Sequence, residues 1–209
     1  MDGSQPKNII DSFLNDLEES GRITRKDADI QAARRVLNEA ALFFERIERY
    51  LGNIRGELDP FTDIGPPSEG WAHGAFRESM RVIELTIDAF CNTYGLHVHR
   101  ANSAGVRKSI ASFLLEVDCE PGDRREPRAS GEIRINFNGG NRIEGVRRGR
   151  HAVNSNMETR PTHEDLIWLR RHVKYPGTDI PHDDLRFEIE RALGVAKSIH
   201  QGFIQLVNR

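Results

Sequence analysis

The chain has 209 residues and is poor in cysteine, in lysine and in long apolar runs. Its two cysteines, Cys91 and Cys119, lie far apart without a Cys-x-x-Cys pair, which argues against a disulfide framework and a thiolate zinc site. Residues 40–44 form the longest purely apolar run, and residues 1–17 lack a basic segment followed by an apolar one. We therefore expect a protein of a reducing compartment, the cytoplasm, with no membrane span or secretion signal.

A strong excess of one charge is also missing. With 30 basic and 32 acidic residues the formal net charge is -2, which excludes a globally basic nucleic-acid binder but leaves room for a local basic patch. Arginine supplies almost all of the positive charge, a bias often met in proteins from GC-rich bacteria.

Motifs with a known chemical mechanism are absent as well. The sequence has no Gly-x-Ser-x-Gly, no P-loop, no dinucleotide-binding glycine pattern and no His-Glu-x-x-His. It therefore predicts no cofactor, and it favours a protein that is not an enzyme without deciding the question.

Helix-packing patterns are abundant. Three stretches repeat apolar residues at spacings of three and four, which predicts long helices that each bury one row of side chains, here called a seam, against another helix. The seams are Ile30, Ala33, Leu37, Ala40, Phe44, Ile47, Leu51 and Ile54; Phe76, Met80, Ile83, Ile87, Phe90 and Tyr94; and Leu185, Ile189, Ala192, Ala196, Ile199, Phe203 and Leu206. A partly unfilled seam would favour a homodimer, and the alternative is a bundle that closes within one chain.

Local signals place the helix ends. Residues 9–17 predict a short amphipathic helix that Gly21 ends in a left-handed conformation. Thr24 with Asp27 predicts the cap of the first long helix, which runs toward Gly56, and Thr162 with Asp165 predicts the start of a shorter helix through residue 173. The second long helix is expected to begin between residues 71 and 76 and to stop near residue 95, and the last helix runs almost to the C-terminus.

Alternation with a period of two indicates strands in the middle of the chain. It covers residues 96–98, 111–117 and 133–137, and the turn signal at residues 138–141 predicts a return strand over 142–146. The predicted fold class is therefore α+β, a bundle of long helices from both ends of the chain with an antiparallel meander of about four strands within 96–148. The predicted domains are a helical hairpin at 1–56, a linker at 57–74 and an α+β core at 75–209, or one domain throughout.

An arginine cluster follows the predicted turn. Arg142, Arg147, Arg148 and Arg150 are accompanied by few acids. Because the guanidinium fork matches phosphate and carboxylate, these residues are candidates for binding an anionic ligand or nucleic acid. The alternative is a solvated, salt-bridged loop.

The polar face of the predicted sheet is the second candidate. It would carry His97, His99, Glu116, Asp118, Glu132, Arg134 and Asn136. Clustered imidazoles and carboxylates could bind a divalent metal, and Glu116, Asp118, Glu132 and Arg134 could serve a metal-dependent nuclease. Arg134 could orient phosphate but could not act as a base. The alternative is an exposed sheet face balanced by ion pairs.

Three functions follow from these patterns. The first is a non-enzymatic interaction or regulatory protein that assembles through its helices and contacts an anionic partner through the basic hairpin. The second is a metal-dependent nuclease or phosphodiesterase, and the third is a sensor of a small ligand bound between sheet and helices.

Overall fold

The computed structural model describes residues 5–55, 69–117, 161–175 and 185–208. All of them belong to one of two units of the chain, the unit formed by Met1–Asp118 and Pro161–Arg209. The described helices are α1 Gln5–Glu19, α2 Ile30–Arg55, α3 Glu69–Thr93, α4 Ser103–Val117, α5 His163–Lys174 and α6 Leu185–Val207. Two short strands, β1 Ile23–Arg25 and β2 Leu96–Val98, pair antiparallel, and a 3-10 turn, Arg100–Asn102, leads from β2 into α4.

The predicted α+β fold with a four-stranded meander is wrong. Helices make up 84% of the described residues, and the sheet found among them has two strands. The strand at residues 96–98 exists, but it pairs with β1, with Ile23 opposite Val98. The strands expected over 133–137 and 142–146, and the turn at 138–141, lie outside the described residues.

The strand predicted at residues 111–117 is instead the second half of helix α4. Val106, Ile110 and Leu114 are all buried and recur every four residues, which is a helical spacing. A period of two would place Leu114 on the polar face, opposite Phe113 and Leu115, although Leu114 is fully buried. The alternating apolar residues were therefore two adjacent rows of one buried helix.

The first helices follow the predicted pattern with one correction at a start point. Gly21, with a φ of 65°, ends the region of α1 in the left-handed conformation that was predicted. Helix α2 does not begin at Thr24, because Thr24 belongs to β1 and is paired with His97. The Asp29 carboxylate caps α2 instead, accepting a hydrogen bond of 2.8 Å from the Ala32 N–H.

The later helices are confirmed in position. Helix α3 begins at Glu69, slightly before the expected window, and ends at Thr93. Thr162 and Asp165 form the predicted capping box of α5, and α6 runs to Val207.

Helices α3 and α6 form the centre of the bundle. Each buries more than its predicted seam, since Val82, Leu85 and Ala89 of α3 and Val195 of α6 are also inaccessible to solvent. Helix α2 packs along α3, and α4 packs against both central helices. The seams of these two central helices are therefore covered by other helices of the same chain. This corresponds to the predicted alternative of a bundle that closes within one chain. The domain limits predicted at 56 and 75 stay a prediction.

A close backbone approach joins the start of α2 to the end of α3. The Lys26 N–H donates to the Gly95 carbonyl at 2.6 Å, and the Asp29 N–H donates to the Asn92 carbonyl at 2.9 Å. Gly95 has a φ of 60°, and a Cβ there would overlap the Lys26 carbonyl. Glycine is required at this position both by conformation and by space.

Candidate functional site

The residues predicted to carry chemistry fall mostly outside the described part of the chain. This applies to Arg142, Arg147, Arg148 and Arg150 and to Asp118, Glu132, Arg134 and Asn136, whose roles stay predictions. Of the rest, His97 is exposed on β2, His99 follows that strand, and Glu116 is exposed on α4. Since Glu116 lies on a helix, the expected sheet face does not join it to the histidines.

The two histidines lie side by side, with no third metal ligand near them among the described residues. Their ring centroids are 6.1 Å apart. Within the described ranges, no group of three or more histidine, cysteine or acidic side chains is placed to hold a metal ion. The arrangement of His97 and His99 supplies no metal centre from these residues alone.

A buried ion pair fixes α5 to α6. Arg191 of α6 approaches the Asp165 carboxylate at 2.7 Å, and it lies 3.4 Å from the Glu188 carboxylate. Its guanidinium also stacks 4.1 Å above the Trp168 ring. The Asp165 side chain is only 8% exposed, so this pair is shielded from solvent in a way that surface pairs are not.

The same carboxylate closes the capping box. The Thr162 backbone N–H donates to Asp165 at 2.7 Å, and the Thr162 hydroxyl donates to it at 2.8 Å. Burial alone would raise the pKa of Asp165, but the Arg191 charge and the Thr162 hydrogen bonds outweigh burial, and the pKa lies below its usual range. Asp165 is therefore held ionised as a structural anion.

A histidine inside the bundle bridges two helices. The Thr86 hydroxyl donates to the Val82 carbonyl at 2.8 Å, so His200 Nδ1, 3.2 Å from the Thr86 oxygen, acts as the donor to it. The His200 ring also meets the Phe44 ring edge-on at 5.3 Å. Burial lowers the pKa of His200, which favours the neutral imidazole.

Cys91 is not suited to nucleophilic chemistry. Burial raises the pKa of its thiol to about 12, against a smaller opposing effect of Arg107. Because the thiolate is the reactive form, this cysteine behaves as a small apolar residue.

A groove of about 520 Å³ opens between α1 and α4, and we call it the α1–α4 groove. Phe13 and Phe113 line it, and their rings stack in parallel with centroids 4.2 Å apart. Arg22, from the turn after α1, and Lys108, from α4, add two cations. The remaining lining residues, all on α4, are Gly105, Ser109, Ser112 and Glu116.

A serine and a histidine meet at the edge of this groove. Ser112 Oγ and His163 Nδ1 are 3.0 Å apart, which connects α4 to the first residue of α5. The Ser112 hydroxyl also donates to the Lys108 carbonyl at 3.0 Å. The serine and the histidine form a bridge between α4 and α5.

The groove escaped prediction from the sequence because its α4 residues were assigned to a strand. Gly105, Ser109, Ser112 and Glu116 are spaced by four, three and four residues, which puts them on one side of a helix. Helical spacing would have found this polar row. The contribution of Phe13 and Arg22 depends on tertiary packing and has no local signal.

Comparisons with known proteins assign neither a family nor a function to the chain. No family model, no curated protein and no solved structure matches the chain. None of the described helices combines the length and the apolar character needed to span a bilayer.

Proposed function

We propose that this protein is a non-enzymatic interaction protein that contacts an anionic partner through Arg142, Arg147, Arg148 and Arg150. The observation that carries the proposal is the uneven distribution of charge. Residues 119–160 contain nine arginines and six acidic residues, although the chain as a whole has a net charge of -2. Local positive charge of this kind attracts phosphate and carboxylate groups.

The described bundle contains the helices that precede and follow that segment in the chain. Helix α4 ends at Val117, and α5 begins at His163. The contact between Ser112 and His163 and the buried pair of Asp165 with Arg191 fix these helices to the core.

The test uses the Arg147→Ala and Arg148→Ala double variant and a fluorescently labelled DNA duplex. Anisotropy titrations at two ionic strengths should show weaker binding than the wild type, and the slope of log K against log salt should fall by about one for each phosphate that the variant no longer neutralises. The matched control is the Arg34→Ala and Arg35→Ala double variant, which removes the same charge from the exposed side of α2. Equal weakening by both variants, or no binding by the wild type at low salt, would contradict the proposal.

The proposal includes a homodimer. Helix α2 is the element proposed for it, since Ile30 of its seam is 47% exposed and Phe44 of the same seam is only half-buried. Light scattering at high micromolar concentration tests this part, and a monomer mass would exclude it.

A further inference from the structure

Two cations in the α1–α4 groove have no partner among the described residues. Neither the Arg22 guanidinium nor the Lys108 ammonium takes part in an ion pair or a side-chain hydrogen bond there. Both are exposed side chains that line the groove together with Phe13 and Phe113, whose rings stack on each other. Positive charge beside aromatic surface is a combination that can recognise an apolar molecule carrying an acidic group.

The groove is open to solvent along one side. Its volume of about 520 Å³ gives room for a small molecule that keeps part of its surface in water. Gly105 borders free space in the lining, because a Cβ built at this position would meet no atom within 4 Å. The Glu116 carboxylate is the one acid in the lining, so the lining carries two positive charges against one negative charge. That balance favours a monoanion over a polyanion.

We propose that the α1–α4 groove binds a small amphipathic organic anion. Its aromatic or acyl part lies on the rings of Phe13 and Phe113, and its single carboxylate, sulfonate or phosphate ester group lies between Arg22 and Lys108. This proposal does not depend on the function proposed for the arginines at 142–150.

The test compares two probes that share one ring system and differ in charge. The probe 1-anilinonaphthalene-8-sulfonate carries a sulfonate, whereas N-phenyl-1-naphthylamine is its neutral analogue. In fluorescence titrations of the full chain, the sulfonate probe should bind to one site and more tightly than the neutral probe. Lys108→Gln should weaken the sulfonate probe roughly tenfold, the factor expected for one charge-assisted contact, and leave the neutral probe unchanged.

A blocking variant locates the site. Gly105→Leu projects a side chain into the groove and should abolish binding of both probes, whereas Gly105→Ala fills little space and should retain it. Both changes replace a helical glycine with a better helix former, so neither is expected to unfold the protein, and a thermal melt verifies this. Lys197→Gln is the matched charge control, since Lys197 pairs with Glu48 rather than lining the groove.

Each result decides the proposal. It is supported when Gly105→Leu removes binding and Lys108→Gln affects only the charged probe. It is overturned when Gly105→Leu still binds the sulfonate probe, when Lys197→Gln weakens that probe as much as Lys108→Gln does, or when the wild type binds neither probe at millimolar concentration.

Discussion

Removing the charge of Asp165 should destabilise the bundle more than removing any exposed carboxylate. The informative change is Asp165→Asn, because the amide keeps the shape of the side chain and can still accept from Thr162. The charge removed is the one that faces Arg191, with nitrogens of the guanidinium 2.7 Å from one carboxylate oxygen and with side chains 18% and 8% exposed. A guanidinium desolvated in this way is costly to leave unpaired.

The expected loss of stability depends on the contacts that Arg191 retains in the variant. Removing one partner of a buried ion pair typically costs about 3 to 5 kcal/mol. Arg191 still has the Glu188 carboxylate at 3.4 Å and the Trp168 ring, so we expect a smaller loss, about 2 to 3 kcal/mol. Asp165→Ala should cost about 1 kcal/mol more, because it also opens the capping box.

Urea unfolding at neutral pH measures these losses, and a double-mutant cycle with Arg191→Met isolates the pair. The pH dependence gives a second measurement. Since the pKa of Asp165 is lowered in the folded state, its contribution is present above the unfolded value near 3.8 and is lost as the pH falls through the folded value. The difference between wild type and Asp165→Asn should therefore shrink below about pH 3.8.

The matched control is Glu18→Gln, which breaks an exposed pair with Arg25 whose side chains are 45% and 37% exposed. Exposed pairs contribute at most about 1 kcal/mol. If Asp165→Asn costs no more than Glu18→Gln, the reasoning from burial is refuted.

Three other tests concern the core. Ile87→Ala should cost roughly 2 to 5 kcal/mol, and Phe44→Ala, at a half-buried position, should cost about 1 to 2 kcal/mol; equal losses in urea melts would contradict the burial assigned to them. His200→Gln should reduce the loss of stability between pH 7.5 and 5.5, because the lowered pKa of His200 lets the unfolded chain take up the proton first as the pH falls below about 6.5. Ser79→Ala should leave stability unchanged or raise it by about 1 kcal/mol, since the buried Ser79 hydroxyl has no hydrogen-bond partner among the described residues; a clear loss would show that the hydroxyl is satisfied.

Helix periodicity predicted more of this fold than any other signal. The long seams located α2, α3 and α6 because a row sustained over several turns fits no other element. Short segments are harder to assign. Residues 111–117 span too few helical turns to distinguish the period of two of a strand from two neighbouring rows of a helix. The helical period of α4 is recognised only when Val106 and Ile110 are included, because they form one row with Leu114.

Strand β1 illustrates a different limit. Residues 23–25 carry a plausible N-cap, Thr24, followed three residues later by an acid, and local chemistry favoured the start of a helix. Pairing with β2 overrode that preference, through contacts between positions more than 70 residues apart. A partner strand so distant leaves no trace in the local pattern, and the cap moved to Asp29, whose carboxylate accepts a hydrogen bond from the first turn.

The capping box of α5 shows where local prediction stops and tertiary structure begins. The spacing of Thr162 and Asp165 was enough to predict that the carboxylate accepts a backbone hydrogen bond at the start of a helix. Nothing local predicts that Arg191, 26 residues later on α6, approaches the other oxygen of the same carboxylate. The first interaction sets where the helix begins, and the second sets where that beginning lies in the bundle. Both interactions use the Asp165 side chain. A shift of the helix start would therefore leave the buried Arg191 guanidinium without this partner, which is costly.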